Sequence, residues 1–292
     1  MLKEILISMR PKQWYKNLVI FIGIVFSLNL LDLSLWITVI SAFIIFCLIS
    51  GSIYLINDVL DIEKDRKHPR KSKRPLPSGD LKPYQAIFAA VLFICIGFLW
   101  SYFINLPFIA ITSAFFILMM VYSLVLKHFV IVDILVISTG FVMRAIAGAL
   151  AISVLVSPWL IICTFLLALF LALGKRRHEI SLLGNEAKNH RSNLESYSTN
   201  MLDQMIIVTI SALIMSYSLY TFFSGKIVMM LTIPFAFYGI FRYLLLIHSK
   251  DIGGEPEMLF KDRGMLISMI LWILIVIGVL YFKIDLGFLI NY

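Results

Sequence analysis

The sequence predicts an all-α protein that crosses a membrane several times. Hydrophobic residues make up 61% of the 292 residues and charged residues only 14%, whereas a soluble domain carries about 25% charged residues. Several apolar runs approach or exceed the roughly 18 to 20 residues that a helix needs to span a bilayer. The runs lack the alternation of β-barrel strands, and only helices and closed barrels satisfy their backbone within lipid. A polytopic bundle of transmembrane helices is therefore expected.

Nine apolar segments are expected to cross the membrane, of which the first is short. The predicted spans cover residues 17–31, 35–57, 84–103, 107–126, 131–153, 158–174, 202–222, 227–247 and 264–283. Longer connections lie at residues 58–83, 175–201 and 248–263. The two longest each follow an even-numbered span, which indicates two helical bundles, each with its own loop, within one domain of residues 1–292.

The distribution of positive charge predicts the orientation in the membrane. Of the 25 Lys and Arg residues, 21 lie in the N-terminal segment or in the connections after the second, fourth, sixth and eighth spans. Because positively charged loops stay in the cytoplasm, the N-terminus and the long loops are expected there and the C-terminus outside. The first residues, MLKEILISMRPKQWYKN, carry no signal-peptide pattern and are interpreted as an interfacial segment. The net charge of +8 indicates phosphate-bearing partners, and no nucleic-acid-binding motif is present.

The stretch NDVLDIEKD at the end of the second span gathers carboxylates at helical spacing. Asp58, Asp61 and Asp65 stand at i, i+3 and i+7. Asn57 precedes Asp61 by four residues, so all four side chains share one helix face. Like charges at this spacing destabilise a helix, and they do so most at its C-terminus. Oxygen ligands on one face suit Mg²⁺, which binds through one or two carboxylates plus substrate phosphates.

Neighbouring basic residues allow a structural alternative and suggest a phosphate contact. The carboxylates could instead pair with Lys64, Arg66 and Lys67 at a solvated helix end. Further along, Arg74 precedes the turn Pro-Leu-Pro, and Arg can bind phosphate through two parallel hydrogen bonds. Arg74 is therefore expected near a phosphate, while other basic residues of this loop could serve only as cytoplasmic anchors.

NDVLDIEKD followed by KRPLPSG resembles the first signature of the UbiA-type intramembrane prenyltransferases. The resemblance covers essentially the whole chain, including the nine spans. It implies a UbiA-like bundle with a cytoplasm-facing cavity that opens laterally to lipid. It also implies that Asp58, Asp61 and Asp65, aided by Asn57, act in catalysis by holding Mg²⁺ on a diphosphate.

The position of the family's second acidic signature departs from that pattern. It reads LALGKRRHEI here, with Lys175, Arg176 and Arg177 where acids would be expected and Glu179 as the one carboxylate. A basic triplet favours direct phosphate contact over a second metal. This departure counts against the alternative function, transfer from a polyprenyl diphosphate to an aromatic acceptor of the 4-hydroxybenzoate type.

Four further stretches resemble one branch of that family, which transfers 5-phosphoribose to a decaprenyl-type polyprenyl phosphate. They are RPKQWYKN (10–17), YSLVLKHFVIVDILVISTGFVMRAIAGA (122–149), LALGKRRHE (171–179) and GGEPEMLFKDR (253–263). This resemblance implies phosphoribosyl diphosphate as donor, a polyprenyl phosphate lipid as acceptor, Mg²⁺ as cofactor and pyrophosphate as product. It also implies a place in the bacterial inner membrane and in cell-envelope biosynthesis. The diphosphate then belongs to the sugar donor.

Polar residues outside the two signatures are candidate substrate contacts. The resemblance implies that Lys16 and Asn17 line the cavity, although Lys16 could be an interfacial lysine. Tyr122, Lys127 and Asp133 frame the turn after the fourth span, where Lys127 could contact the sugar phosphate or act as a membrane anchor.

Arg144 lies well inside the fifth span, where a charged side chain must face a partner or a polar cavity. It follows Asp133 by eleven residues, close to three helical turns, so the two share one helix face. A structural ion pair is favoured for Arg144, with a deep place in the active-site cavity as the alternative. In the last loop, Glu255, Glu257, Asp262 and Arg263 are candidates for a lid-like segment beside the site.

A transporter or lipid-binding protein is the alternative from another functional class. Transporters place ionisable residues and broken helices near the midplane. Here nearly all the charge lies on one side of the membrane, so this class is disfavoured. The sequence leaves open whether the chain forms a homo-oligomer.

Overall fold

The computed structural model describes residues 1–68, 71–183, 197–249 and 262–282, and within these ranges every regular element is helical. Eight of the described helices are long and apolar enough to cross a membrane, and we number them α1 to α8. They are α1 Leu33–Leu60, α2 Pro83–Ile104, α3 Leu106–Leu124, α4 Val132–Ala151, α5 Pro158–Leu183, α6 Thr199–Phe223, α7 Ile233–His248 and α8 Arg263–Tyr281. The seventh is long enough only together with the end of the preceding 3₁₀-helix, as the span Val228–His248. The predicted all-α membrane fold is confirmed.

Short helices fill most of the described connections. The α-helical ones are Leu2–Ser8, Ile22–Phe26, Ile62–Arg66 and Pro75–Ser78. The 3₁₀-helical ones are Pro11–Phe21, Lys71–Lys73, Leu126–His128 and Ile227–Thr232, the last of which leads directly into α7.

The first predicted span, residues 17–31, does not form a long α-helix. It is covered instead by the 3₁₀-helix Pro11–Phe21, of 11 residues, and the α-helix Ile22–Phe26, of 5 residues. A 3₁₀-helix rises about 2.0 Å per residue and an α-helix about 1.5 Å, so the two together reach roughly 30 Å, close to the thickness of a hydrocarbon core. The predicted count of nine transmembrane helices is not confirmed, because only eight of the described helices are long and apolar enough to cross a membrane.

Local capping explains where two of the long helices begin. The Asp32 carboxylate accepts a hydrogen bond from the Ser34 N–H at 2.9 Å at the start of α1. The Asn105 side chain accepts from the Phe108 N–H at 2.8 Å at the start of α3. Both satisfy backbone donors that the first turn of a helix leaves unpaired.

The chain forms two compact units. The first consists of Met1–Leu126 and Gly140–Val156, and the second of the described residues within Lys127–Thr139 and Ser157–Tyr292. Helix α4 therefore contributes its first residues to the second unit and the remainder to the first. Each unit contains one of the two longest predicted loops.

The core of the first unit is aromatic and tightly packed. Phe46 of α1 and Phe115 of α3 are fully buried, and their ring centroids lie 5.0 Å apart. The 3₁₀-helix Pro11–Phe21 packs directly on the backbone of α4. A Cβ atom added at Gly148 would lie 1.9 Å from the carbonyl oxygen of Ile20, so this contact requires glycine.

The core of the second unit joins α5, α6 and α7. The Phe170 and Tyr243 rings meet edge to face with centroids 5.0 Å apart. Leu202 of α6 and Ile247 of α7 are buried in the same cluster.

Candidate active site

The acidic stretch at the end of α1 keeps its helical spacing across a break in the helix. Asp61 directly follows α1, which ends at Leu60, and leads into the short helix Ile62–Arg66. The Asp61 N–H still donates to the Asn57 carbonyl at 2.9 Å, and the Asp65 N–H to the Asp61 carbonyl at 2.8 Å. The single predicted helix is thus two helices, yet Asp58 and Asp65 remain on one side.

Asp58 and Asp65 converge on shared cations. Arg74 Nη1 donates to Asp58 Oδ1 at 3.3 Å and to Asp65 Oδ2 at 2.7 Å. Arg10 Nη2 also donates to Asp58 Oδ1, and Lys71 Nζ lies 3.4 Å from Asp65 Oδ1. Both carboxylates are almost fully buried. Their charge is therefore balanced by three basic side chains that the fold brings to them.

These partners differ from the ones that the structural alternative named. Lys64, Arg66 and Lys67 are exposed. Arg66 Nη1 instead lies 3.0 Å from the exposed Glu63 Oε1. The physical reason is the helix face, because Asp65 lies on the buried side of Ile62–Arg66 while its neighbours in sequence point to solvent. Arg74 contacts the carboxylates of Asp58 and Asp65 in this structure, and its expected place near a phosphate stays a prediction.

The donor set suits Mg²⁺. Two carboxylates converge, and the buried Oδ1 atom of Asn57 has no hydrogen-bond partner among the described residues. A carboxamide oxygen beside carboxylates matches the hard oxygen ligands that Mg²⁺ prefers. Asp61 is half-buried at the same helix end. The described residues contain no group of three His, Cys, Asp or Glu placed to hold an ion by themselves, so substrate oxygens would complete the coordination.

A cavity of about 260 Å³ opens beside Asp58 in the first unit. Its lining residues are Ile7, Ser8, Arg10, Asp58, Lys73, Arg74 and Pro75. Three of these are cations, which makes the cavity suitable for an anion. Sequence reasoning did not select Arg10 or Lys73 as site residues, although Arg10 begins the RPKQWYKN stretch.

Asp133 and Arg176 form a buried ion pair in the second unit. Arg176 Nε donates to Asp133 Oδ2 at 3.1 Å, and Arg176 Nη1 donates to Glu179 one helical turn away. The Tyr197 hydroxyl donates to Asp133 Oδ1 at 3.3 Å and accepts from the Ile131 N–H at 2.6 Å. Burial raises the pKa of the Tyr197 phenol, and the nearby Asp133 carboxylate adds to that rise. Asp133 and Arg176 are thus both buried, at 0% and 5% exposure, and both are engaged in hydrogen bonds.

The basic triplet of α5 is largely engaged by carboxylates. Arg176 is bound as described, and Arg177 forms an ion pair with Asp203 of α6. His248 Nε2 lies 3.6 Å from the same Asp203 carboxylate. Lys175 is half-buried. Direct phosphate contact by the triplet stays a prediction.

Asn17 and Arg144 belong to a buried contact in the first unit. Arg144 Nε donates to Asn17 Oδ1 at 2.8 Å and Nη1 donates to the Gly140 carbonyl at 2.9 Å. Asn17 Nδ2 donates to Cys47 Sγ at 3.3 Å. The Arg144 guanidinium also lies 4.6 Å from the Phe115 ring centroid. Arg144 thus has a structural place as favoured, but its partners are an amide, a carbonyl and a ring, with no ion pair to Asp133.

The remaining predicted residues lie at helix ends. Lys16 is in the 3₁₀-helix Pro11–Phe21, Tyr122 near the end of α3 and Lys127 in the turn that follows, and all three are half-buried. Of the lid-like residues, Glu255 and Glu257 lie outside the described residues. The other two are the Asp262 cap and the first residue, Arg263, of α8.

Asp262 anchors the start of α8. Arg242 Nε and Nη2 donate to its two carboxylate oxygens at 3.0 and 2.8 Å, and its Oδ1 also accepts from the Met265 N–H at 2.8 Å. The hydrogen bonds from Arg242 lower the pKa of the Asp262 carboxyl. This arrangement gives the intramembrane Arg242 its partner.

Long apolar helices with carboxylates and cations gathered at one helix end are typical of membrane-embedded enzymes that handle phosphate-bearing substrates. The chain belongs to the UbiA prenyltransferase family, whose sequence model matches residues 18–274. The prediction of a transferase of this family is confirmed.

Curated relatives and solved structures agree with this assignment. The chain is 31% identical to the decaprenyl-phosphate phosphoribosyltransferase of Mycolicibacterium smegmatis, over 94% of this chain and 92% of that protein. It is 29% identical to the enzyme of the same name from Corynebacterium glutamicum, over 94% and 86%. A UbiA homologue from Archaeoglobus fulgidus, bound to GPP and Mg²⁺, superposes with a TM-score of 0.73 at 16% identity, covering 95% of this chain and 99% of that one. The structural likeness shows the fold.

Proposed function

We propose that this protein transfers 5-phosphoribose from phosphoribosyl diphosphate to a decaprenyl-type polyprenyl phosphate and releases pyrophosphate. The observation that carries the proposal is the pairing of Asp58 and Asp65 with a cation-lined cavity at the end of α1. Such a site suits a donor that brings a diphosphate for a metal and a further phosphate for basic groups. The names of the curated relatives support the same substrates.

Asp58, Asp61 and Asp65, with Asn57 Oδ1, are proposed to hold Mg²⁺ against the donor diphosphate. When bound there, Mg²⁺ would neutralise the charge that develops on the leaving pyrophosphate. The chain's own contribution is to hold the carboxylates on one side of two consecutive helices, so that they converge before the substrate arrives.

In the proposed reaction an oxygen of the lipid phosphate forms a bond to C1 of the ribose. The bond from C1 to the diphosphate oxygen breaks, and its electron pair leaves with pyrophosphate. The attacking phosphate is already ionised and needs no general base. Arg74, Lys127 and Lys175 are proposed to bind the phosphates, so catalysis consists mainly of positioning and electrostatic stabilisation.

We further propose that the whole chain, residues 1–292, works as one domain in a bacterial inner membrane. The N-terminus and the site would face the cytoplasm, where phosphoribosyl diphosphate is soluble, and the C-terminus would lie outside. The cavity would open laterally, because a polyprenyl chain stays in the bilayer while its phosphate reacts. The charge distribution supports this orientation.

The test is an assay with purified protein in membranes, Mg²⁺, labelled phosphoribosyl diphosphate and decaprenyl phosphate. Label is expected in the lipid fraction, and chelation of the metal is expected to abolish its appearance. Asp61→Asn should abolish transfer while leaving the thermal unfolding temperature unchanged. Glu63→Gln is the matched control, because the Glu63 side chain is 81% exposed and lies two residues away.

Two results would refute the proposal. An active Asp61→Asn variant would remove the metal role of the acidic stretch. Absence of label from the lipid, together with transfer from a polyprenyl diphosphate to 4-hydroxybenzoate, would establish the alternative aromatic prenyltransferase.

A further inference from the structure

Arg10 forms an ion pair with Asp58, one of the carboxylates proposed to hold Mg²⁺. Its Nη2 donates to Asp58 Oδ1, the same oxygen that Arg74 contacts at 3.3 Å. The Arg10 guanidinium also stacks on the Tyr54 ring of α1, 4.6 Å from its centroid. A carboxylate oxygen held by two guanidiniums has little capacity left for a cation.

The backbone at Arg10 adopts an unusual conformation to reach this position. Its φ of 54° lies in the left-handed region, which is unfavourable for a residue other than glycine because its Cβ atom crowds the following carbonyl oxygen. Since Pro11 follows, the local sequence would favour an extended conformation instead. Non-glycine residues held in this way cluster at functional sites, which is consistent with a specific task for the Arg10 side chain.

The N-terminal helix is anchored independently of this ion pair. Ile5 and Met9 are buried against Leu55 of α1 and Leu76 of the short helix Pro75–Ser78. The Arg10 side chain is 29% exposed and borders the cavity. The Arg10 side chain can therefore exchange partners by rotating, while the preceding helix Leu2–Ser8 stays in place.

The cavity lining predicts what the released side chain would bind. Arg10, Lys73 and Arg74 face one carboxylate, Asp58, and Lys73 forms no ion pair with any described residue. If a divalent cation took over Asp58, Arg10 and Lys73 would lose the one carboxylate of the lining, while Arg74 would keep its ion pair with Asp65. The mutual repulsion of Arg10 and Lys73 would be relieved by a phosphate anion, which guanidinium groups bind through parallel hydrogen bonds.

We propose that Arg10 is a positioning residue that holds Asp58 until the metal arrives and then binds a phosphate group of the substrate in the adjacent cavity. Binding of the metal to Asp58 would free the Arg10 guanidinium for the phosphate. Binding of the phosphate to Arg10 would in turn free Asp58 for the metal, so each ligand would raise the affinity for the other. The identity of the anion rests on the proposed function, in which pyrophosphate is the leaving group.

Two titrations of thermal stability on the purified full chain test the proposal, because ligand binding stabilises the folded protein by an amount that grows with the logarithm of the ligand concentration divided by Kd. Arg10→Gln should bind Mg²⁺ alone about tenfold more tightly than the natural chain, since no charge-assisted hydrogen bond has to be broken first. At saturating Mg²⁺ the same variant should bind pyrophosphate about tenfold more weakly. A residue that only stabilised the fold would not move the two affinities in opposite directions.

Arg66→Gln is the matched control, because it removes one positive charge from an exposed pair in the same region, and both of its affinities should equal those of the natural chain. If Arg10→Gln does not fold, Arg10→Lys replaces it and should show the same opposite shifts at smaller size, since lysine cannot form two parallel bonds. Shifts in the same direction, or none, would overturn the proposal. Neither titration contains ribose or lipid, so failure of the phosphoribosyl transfer assay would refute the proposed function without deciding this test.

Discussion

The two acid–base clusters of the molecule use the same side-chain types in opposite ways. In the first unit, Asp58 is paired with Arg10 and Arg74, whose side chains are 29% and 31% exposed and border a cavity. In the second unit, Asp133 is 0% exposed and its partner Arg176 only 5%. The first cluster is therefore open to exchange with solvent ions, whereas the second is sealed.

The difference between the two clusters lies in the burial of the cation that pairs with each aspartate. A partly exposed guanidinium can regain water when it leaves its carboxylate, so exchange is inexpensive. A buried guanidinium that loses its partner keeps an uncompensated charge away from water. We therefore expect changes in the first cluster to alter activity and changes in the second to alter stability.

The largest expected effect is that of Asp58→Asn on activity. Loss of a carboxylate that supports charge neutralisation in the transition state should lower the transfer rate by on the order of 10³-fold. The thermal unfolding temperature should change little, because Arg10 and Arg74 can be solvated. The measurements are initial rates with labelled donor and thermal unfolding in detergent. If activity and stability fall together, the contrast between the two clusters is wrong.

The general fold was predictable because its signals are local. Long apolar runs set the number and type of most helices, and the spacing of Asp58 and Asp65 placed them on one side. The path of the N-terminal segment was not predictable. It depends on the contact between Ile20 and Gly148, where two backbones touch, and no pattern within residues 11–26 specifies that contact.

The partners of the site residues were also beyond sequence reasoning. Arg10 and Asp58 are 48 positions apart, and Asp133 and Arg176 are 43 positions apart. The spacing of charges along the sequence indicated Lys64 and its neighbours as partners of the carboxylates, because such spacing relates only residues of the same helix. Only tertiary packing of separate helices brings the observed partners together.

The next largest effect concerns the sealed cluster, and Asp133→Asn tests it. Arg176 would lose its fully buried carboxylate partner and keep only the partly exposed Glu179, so the free energy of unfolding should fall by about 3 kcal/mol. The matched control is Asp203→Asn, whose side chain is 33% exposed beside Arg177, and which should cost at most about 1 kcal/mol. Thermal or denaturant unfolding of both variants gives the comparison. A loss of donor affinity in Asp133→Asn without any loss of stability would restore its predicted role as a substrate contact.

The smallest expected effect on the free energy of unfolding is that of Tyr197→Phe, which tests the hydrogen bonds around Asp133. The change removes the hydroxyl that accepts from the Ile131 N–H and donates to Asp133. It should lower the free energy of unfolding by about 1 to 2 kcal/mol, because a buried backbone donor loses its partner.

The double variant Tyr197→Phe with Asp133→Asn completes a cycle that measures whether the second cluster acts as one unit. Because the hydroxyl touches the Asp133 carboxylate at 3.3 Å, the two losses should not add, and a coupling of roughly 0.5 kcal/mol or more is expected. A coupling of zero would mean that Tyr197 and Asp133 stabilise the unit separately. The hydrogen bonds around Asp133 would then not stabilise the second cluster as one unit. Its difference from the exchangeable cluster at Asp58 would depend on the burial of Arg176 alone.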